Sequence, residues 1–124
     1  MGTRSLTRDR ENPGVAAMGK QKVLNRIPPE TEKQFADKVV ALAQFTGWRV
    51  YRTWISIRSP AGFPDLVLAK PGRKLIIAEL KSERGRLTPA QRDWLELLKK
   101  VPGIDVYMWR PSDWKVIESV LRGR

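Results

Sequence analysis

Phe35, Val39, Leu42 and Ala43 repeat at the three-and-four spacing of one helix face, with Thr31 as an N-terminal cap and Gly47 as a stop. The spacing predicts a helix over 31–46. Residues 48–59, WRVYRTWISIRS, switch to aromatic and β-branched text and predict a strand, bent near Trp54. SPAGFP (59–64) reads as a loop. Two apolar runs, 65–69 and 74–81, then flank Lys70-Pro71-Gly72-Arg73 and predict a hairpin. SERGRL is a basic loop, and Thr88-Pro89-Ala90-Gln91 joins a capping Thr, a Pro at the first helical position and a Gln where a capping box needs it. That helix carries Trp94, Leu97, Leu98 and Val101 on one face and ends at Pro102-Gly103. Residues 104–110 predict a further strand, and Ser112 or Asp113 caps a short last helix with Trp114, Ile117 and Leu121 inward. The order α-β-β-β-α-β-α implies the α/β class, a mixed sheet flanked by helices.

Residues 1–29 show no helical or strand period and hold six Lys/Arg against two acids. They are expected to form a mobile basic arm, partly an upstream extension if Met18 begins a chain, ahead of a single domain over 30–124. No apolar stretch approaches the roughly 20 residues that cross a bilayer, and the N-terminus lacks the apolar block of a signal peptide. The expectation is a soluble cytoplasmic protein with no membrane partner.

The hairpin raises a chemical question. Asp65, Glu79 and Lys81 are charges set into otherwise apolar strands. Alternation puts Leu75, Ile77, Glu79 and Lys81 on one face of their strand and Ile76, Ala78 and Leu80 on the other. An odd-numbered loop sets Asp65 directly opposite Glu79 on that face, whereas a strict two-residue loop at Pro71-Gly72 sends the two acids to opposite faces. Distortion at Gly62-Phe63-Pro64 could also decide the matter. Two neighbouring carboxylates repel unless a cation sits between them. Taken singly, Glu-x-Lys on a strand is commonly a solvated pair and Asp after Pro is turn chemistry; it is their conjunction that points to a site.

Composition limits which cation that is. The chain has no Cys and no His, which excludes disulfides, thiolate or imidazole zinc, and nucleophiles activated by histidine. Oxygen ligands remain, and they suit Mg²⁺ or Mn²⁺. Such an ion polarises a phosphodiester and acidifies a water near neutral pH without histidine, while Lys81 offsets the growing negative charge. The formal charge of +11, from 24 Lys+Arg against 13 Asp+Glu, points to a polyanion as partner, foremost nucleic acid. Arg84 and Arg86, with Arg52 and Arg58 on the preceding strand, are the candidate phosphate contacts, joined by Arg92. Solvated charge is the alternative for each. Of five tryptophans, Trp94 and Trp114 are expected in the core, while Trp48, Trp54 and Trp109 could be core or base-stacking.

With these residues placed, the sequence resembles the PD-(D/E)XK nuclease superfamily, and within it the VRR-NUC branch, over about 31–121. Pro64-Asp65 is similar to the PD element and Glu79-Leu80-Lys81 to the ExK element. Gly62-Phe63-Pro64-Asp65-Leu66 and Gly85-Arg86-Leu87-Thr88-Pro89-Ala90-Gln91 resemble segments of the branch. Ser59-Pro60-Ala61 departs from the more polar text of many relatives. The resemblance implies a restriction-endonuclease-like α-β-β-β-α-β core with a short C-terminal helix, and a catalytic set of Asp65, Glu79 and Lys81 with metal on the two acids. Leu80, able to offer only its main-chain oxygen, would be a further ligand. It also implies an upstream helix acid, best matched by Glu32 ahead of Glu30 and Asp37, and a supporting role for Gln91, which as a capping-box residue needs none. Its implied activity is a Mg²⁺- or Mn²⁺-dependent deoxyribonuclease, structure-selective for branched DNA or Holliday junctions in phage-type replication, recombination or repair. A junction resolvase would be a homodimer acting in a bacterial or phage-infected cell. The alternatives are a non-catalytic DNA-binding module of the same fold and a basic structural protein.

Overall fold

The computed structural model of the chain describes residues 28–53 and 58–123. The basic arm expected over 1–29 and Trp54 lie almost wholly or entirely outside them. Helix α1 spans Glu32–Phe45, opened by a reciprocal capping box in which the Gln34 N–H donates to Thr31 Oγ1 (3.0 Å) and the Thr31 N–H to Gln34 Oε1 (2.9 Å). Gly47 ends the segment at φ 97°, a left-handed conformation that suits glycine. Strands β1 (Arg49–Arg52), β2 (Leu66–Ala69), β3 (Leu75–Leu80) and β4 (Ile104–Trp109) form one sheet in that order. The first two pairings are antiparallel and the third is parallel. The parallel step requires a crossover, which α2 (Pro89–Leu98) supplies. A short 3₁₀ turn, Pro111–Asp113, leads into α3 (Trp114–Arg122). Among the described residues no helix is long and apolar enough to cross a membrane.

The hairpin takes the odd-loop register. Leu66 faces Ala78 and Leu68 faces Ile76, across a turn in which the Arg73 N–H donates to Lys70 O (3.1 Å) and Gly72 adopts φ 80° after Pro71. On one face of the sheet Leu66, Leu68, Ile76 and Leu80 join Phe35 of α1 and Leu121 of α3 in the core. Each of these side chains contributes about 1.5–3 kcal/mol by burial. That leaves β3 firmly placed although its opposite face carries Glu79. The Trp48 indole N–H donates to Leu121 O (3.0 Å) and ties the end of α1 to α3.

Two elements differ from the hydropathy pattern. Of the strand expected over 48–59, β1 covers Arg49–Arg52 and is extended by the Thr53 N–H donating to Asp65 O (2.8 Å), residues 54–57 lie outside the described residues, and Arg58 and Ser59 are already in the turn that follows. The helix expected to reach Pro102-Gly103 ends at Leu98, closed by tighter bonds from Lys100 and Val101 to Leu97 and Leu98. Its inward side is centred on Leu95, and Leu97 and Val101 are exposed. The inward stripe is therefore buried Leu95 with half-buried Gln91, Trp94 and Leu98, a face that the apolar pattern missed because its first member is polar. For the last helix, Asp113 holds the N-cap position, but its carboxylate accepts from the Arg110 N–H behind it (2.9 Å).

Gly62 fastens the 59–64 loop to α2. It adopts φ 95°, and a Cβ there would lie 2.5 Å from the Ala90 carbonyl carbon and 2.6 Å from its oxygen. Gly72 has a similar φ but nothing within 4 Å. Gly72→Ala is expected to cost the left-handed penalty alone, about 1–2 kcal/mol, and Gly62→Ala clearly more, since backbone must move. Urea unfolding midpoints of the two variants check this ordering.

Candidate active site

Strand alternation sends Ile76, Ala78 and Leu80 into the core and Glu79 to the other face, where it is 1% exposed. Extending the observed register by one pair sets Asp65 opposite Glu79, and Thr53 and Met108 complete a row across all four strands. Buried Pro64 explains why an acid can turn inward here. The ladder lapses at Pro64, and the Leu80 N–H that would have faced it instead donates to Asp65 Oδ2 at 2.8 Å. The carboxylate of Asp65 thus leans toward β3, beside Glu79.

The electrostatics of this pair are severe. Burial, then the charge of Asp65, push the Glu79 carboxyl up to about 8, with Lys81 opposing and a hydrogen bond to Asp65 and the charge of Glu32 adding to the rise. Lys81, 9% exposed, places Nζ 3.8 Å from Glu79 Oε2. That oxygen has no hydrogen-bond partner although it is out of reach of solvent. A buried polar oxygen left without a hydrogen bond costs about 1–3 kcal/mol, more when charged, and here the nearest positive group is Lys81. In native proteins an oxygen of this kind is met by an ordered water or an ion, or serves in catalysis or as a store of strain.

The remaining expected residues fall into distinct settings. Glu32 lies exposed in the first turn of α1, and its charge reaches Glu79. Among the described residues, however, no three acids are gathered closely enough to hold an ion. Its two substitutes are engaged elsewhere: Glu30 pairs with Lys38 (3.3 Å), and Asp37 with Lys33 (3.0 Å) and Arg52 (3.2 Å). Lys33 first and then Arg52 hold Asp37 below the usual carboxylate range. Arg52 therefore sits on the core side of β1, opposite to Asp65. Arg84, Arg86 and Arg92 are exposed around the 82–92 segment, and Arg58 is exposed in the turn ahead of Ser59.

Gln91 does both things that its position allows. Its Oε1 accepts from the Thr88 N–H (2.9 Å) in a capping box, and it lines a cleft shared with Asp65. Trp94, expected in the core, lines the same cleft, while Trp48 and Trp109 are buried. Trp114 is half-buried against the core under Lys38 Nζ, 4.4 Å from its ring.

Arg110 went unseen in the sequence. Its Nη1 donates to the carbonyls of Ser82 (2.7 Å), Glu83 (3.2 Å) and Gly85 (2.7 Å), and the Ser112 N–H donates to Glu83 Oε1 (3.0 Å). The turn that follows Lys81 and carries Arg84 is thereby clamped to the end of β4. Nothing in the local pattern signals this, because the partners are main-chain oxygens remote in sequence.

The VRR-NUC domain profile matches residues 15–112, beginning inside the basic arm and stopping before α3. A solved structure described as a VRR_NUC domain protein superposes with a TM-score of 0.59 at 20% identity, covering 78% of this chain and 89% of that one, which shows a shared fold. No curated protein matches. With four fifths of its length under that profile, the chain belongs to the VRR-NUC domain family, a nuclease-type DNA-processing domain.

Proposed function

We propose that this domain is a divalent-cation-dependent deoxyribonuclease that hydrolyses phosphodiester bonds at Asp65, Glu79 and Lys81. The observation that carries the reading is the buried Glu79 Oε2, which lacks a hydrogen-bond partner, set across from Asp65 with Lys81 Nζ 3.8 Å away. Two facing carboxylates match the oxygen-only donor set that a Mg²⁺ or Mn²⁺ ion prefers. Extended geometry sends the Leu80 carbonyl to the same edge as its N–H, the Asp65 edge, so a main-chain oxygen can complete the protein's share. With no group of three acids among the described residues, water and substrate oxygens would have to supply the other ligands, as is usual for Mg²⁺. When bound, the ion supplies Lewis acidity and a water acidic enough to attack near neutral pH.

The chain's own residues do the rest. Lys81, held at the end of β3 by its N–H donating to Trp109 O (3.0 Å), directs its ammonium at the charge that grows on the phosphate. Gln91, in the cleft wall with Asp65, has its Oε1 on the Thr88 N–H and so has only its NH₂ to offer a substrate. Glu32 acts at longer range. Arg84, Arg86 and Arg58 grip phosphates on either side, whereas Arg52 is committed to Asp37 and stays outside this surface. The domain spans 30–124, with 1–29 as a basic arm that adds to DNA attraction. Structure-selective action on branched DNA or junctions, in phage-type replication, recombination or repair in the cytoplasm, is the finer part of the reading. Symmetric cutting of a junction would need a homodimer.

The test is nicking of supercoiled plasmid. Relaxed and linear DNA are expected with Mg²⁺ or Mn²⁺ and none with EDTA, and DNA binding should weaken steeply as salt rises. Binding without any metal-dependent cleavage would move the assignment to a non-catalytic DNA-binding module. The retained acids weigh against that module, since carboxylates repel phosphate.

A further inference from the structure

Asp65 opens onto a cleft of ≈ 910 Å³ bounded by β1, the 59–63 loop and the start of α2. That volume is in the range of about 300–1,000 Å³ found for sites that hold one small molecule. Asp65 forms part of its wall, so whatever fills it lies next to the proposed scissile phosphate. Three of its lining residues are aromatic: Tyr51, Phe63 and Trp94. None of them belongs to the hydrophobic core.

Trp94 is fixed in place. Its indole N–H donates to Ala61 O (3.2 Å), and Phe63 packs against its ring edge-on, with centroids 5.0 Å apart and planes at 80°. The loop that carries Ala61 and Phe63 is itself held to α2 by the contact at Gly62. Tyr51 faces this same side of the sheet from edge strand β1 and is 63% exposed. Gln91 adds an amide NH₂ whose carbonyl is already committed to Thr88.

Rigid aromatic faces in an open, basic protein of net charge +11 suit a nucleobase, because every base has a π-face and stacking on aromatic side chains tolerates any sequence. A base in an intact duplex is already stacked and paired, so only a free one can enter. We propose that the cleft is a stacking subsite for one unpaired nucleobase adjoining the cut phosphate. The domain would then select DNA in which that nucleotide is a flap, a fork or a strand end. The proposal rests on the nuclease reading only in taking the phosphate to lie at Asp65.

The experiment uses 2-aminopurine placed either as a single unpaired nucleotide beside a duplex or within a fully paired duplex, titrated with the full chain in EDTA at low salt. The unpaired probe is expected to be quenched on binding and held about tenfold more tightly than the paired one. Trp94→Ala should bring the two affinities together and Trp94→Phe should retain most of the difference. Removing the Trp94 ring leaves a gap beside Phe63, so Tyr51→Ala, at an exposed position, serves as the second variant and should also reduce the ratio. Equal affinities in the unmodified protein, or an undiminished ratio in both alanine variants, overturn the subsite. Because binding is read without metal, plasmid nicking that persists while the ratio is one would sink the subsite alone. Intact stacking without nicking would sink the nuclease reading alone.

Discussion

Asp65→Asn is expected to reduce metal-dependent DNA cleavage to the EDTA background while leaving the fold intact. Asparagine keeps the shape of aspartate, and its side-chain oxygen can still accept from the Leu80 N–H that now donates to Asp65 Oδ2 at 2.8 Å. What is lost is one of the two facing charges that would hold the cation. A bound divalent ion contributes several kcal/mol of charge stabilisation, and each 1.36 kcal/mol is tenfold, so the rate should fall by about 10³-fold or more. Lys81→Met in the same assay should slow cleavage by about 10²–10³-fold, the usual cost of removing one preorganised group aimed at developing charge. Unlike Asp65→Asn, it leaves the acids able to bind metal. Mn²⁺ titrations by calorimetry together with single-turnover cleavage separate the two variants. Appreciable metal-dependent cleavage by Asp65→Asn would remove this residue from the catalytic set.

The parts of this arrangement that the sequence revealed are those decided locally. Thr31 and Thr88 announce helix starts because a capping box closes within four residues, and both boxes form. Asp65, Glu79 and Lys81 stood out because each interrupts an apolar run. Their meeting depended on a register that residues 70–73 alone could not choose, and the odd loop brought it about. The orientation of α2 was misleading for a physical reason. A polar residue, Gln91, begins its inward stripe, so the apolar count favoured Leu97 and Val101, which face solvent. Trp94 was moved from core to cleft by contacts with Ala61 and Phe63, a loop distant in sequence. Arg110 was illegible for the same kind of reason, since its partners are main-chain carbonyls. Local chemistry therefore located the acids, and tertiary contacts determined what surrounds them.

Glu79→Gln is expected to alter how the metal-free protein responds to pH. In the folded chain the Glu79 carboxyl is raised from 4.5 to about 8, chiefly by burial and then by Asp65. Between those values the folded state holds a proton that the unfolded state has released. The associated stability is fully present below about pH 4.5 and is lost as pH rises through about 8, with a slope of up to about 1.4 kcal/mol per pH unit. Glutamine cannot ionise and lacks that slope. In EDTA, the variant should melt near the unmodified protein at pH 5 and well above it at pH 8–9. Addition of Mn²⁺ should reverse the order. An ion that binds only the folded, ionised pair stabilises the unmodified protein by RT ln(1 + [L]/Kd), and does so more strongly at pH 8 than at pH 5, where the proton must first be displaced. Thermal melts of both proteins from pH 5 to 9, with EDTA or Mn²⁺, measure each part. Parallel pH profiles in EDTA would mean that Glu79 is already ionised in the folded chain, with Lys81 rather than an absent cation as its counter-charge.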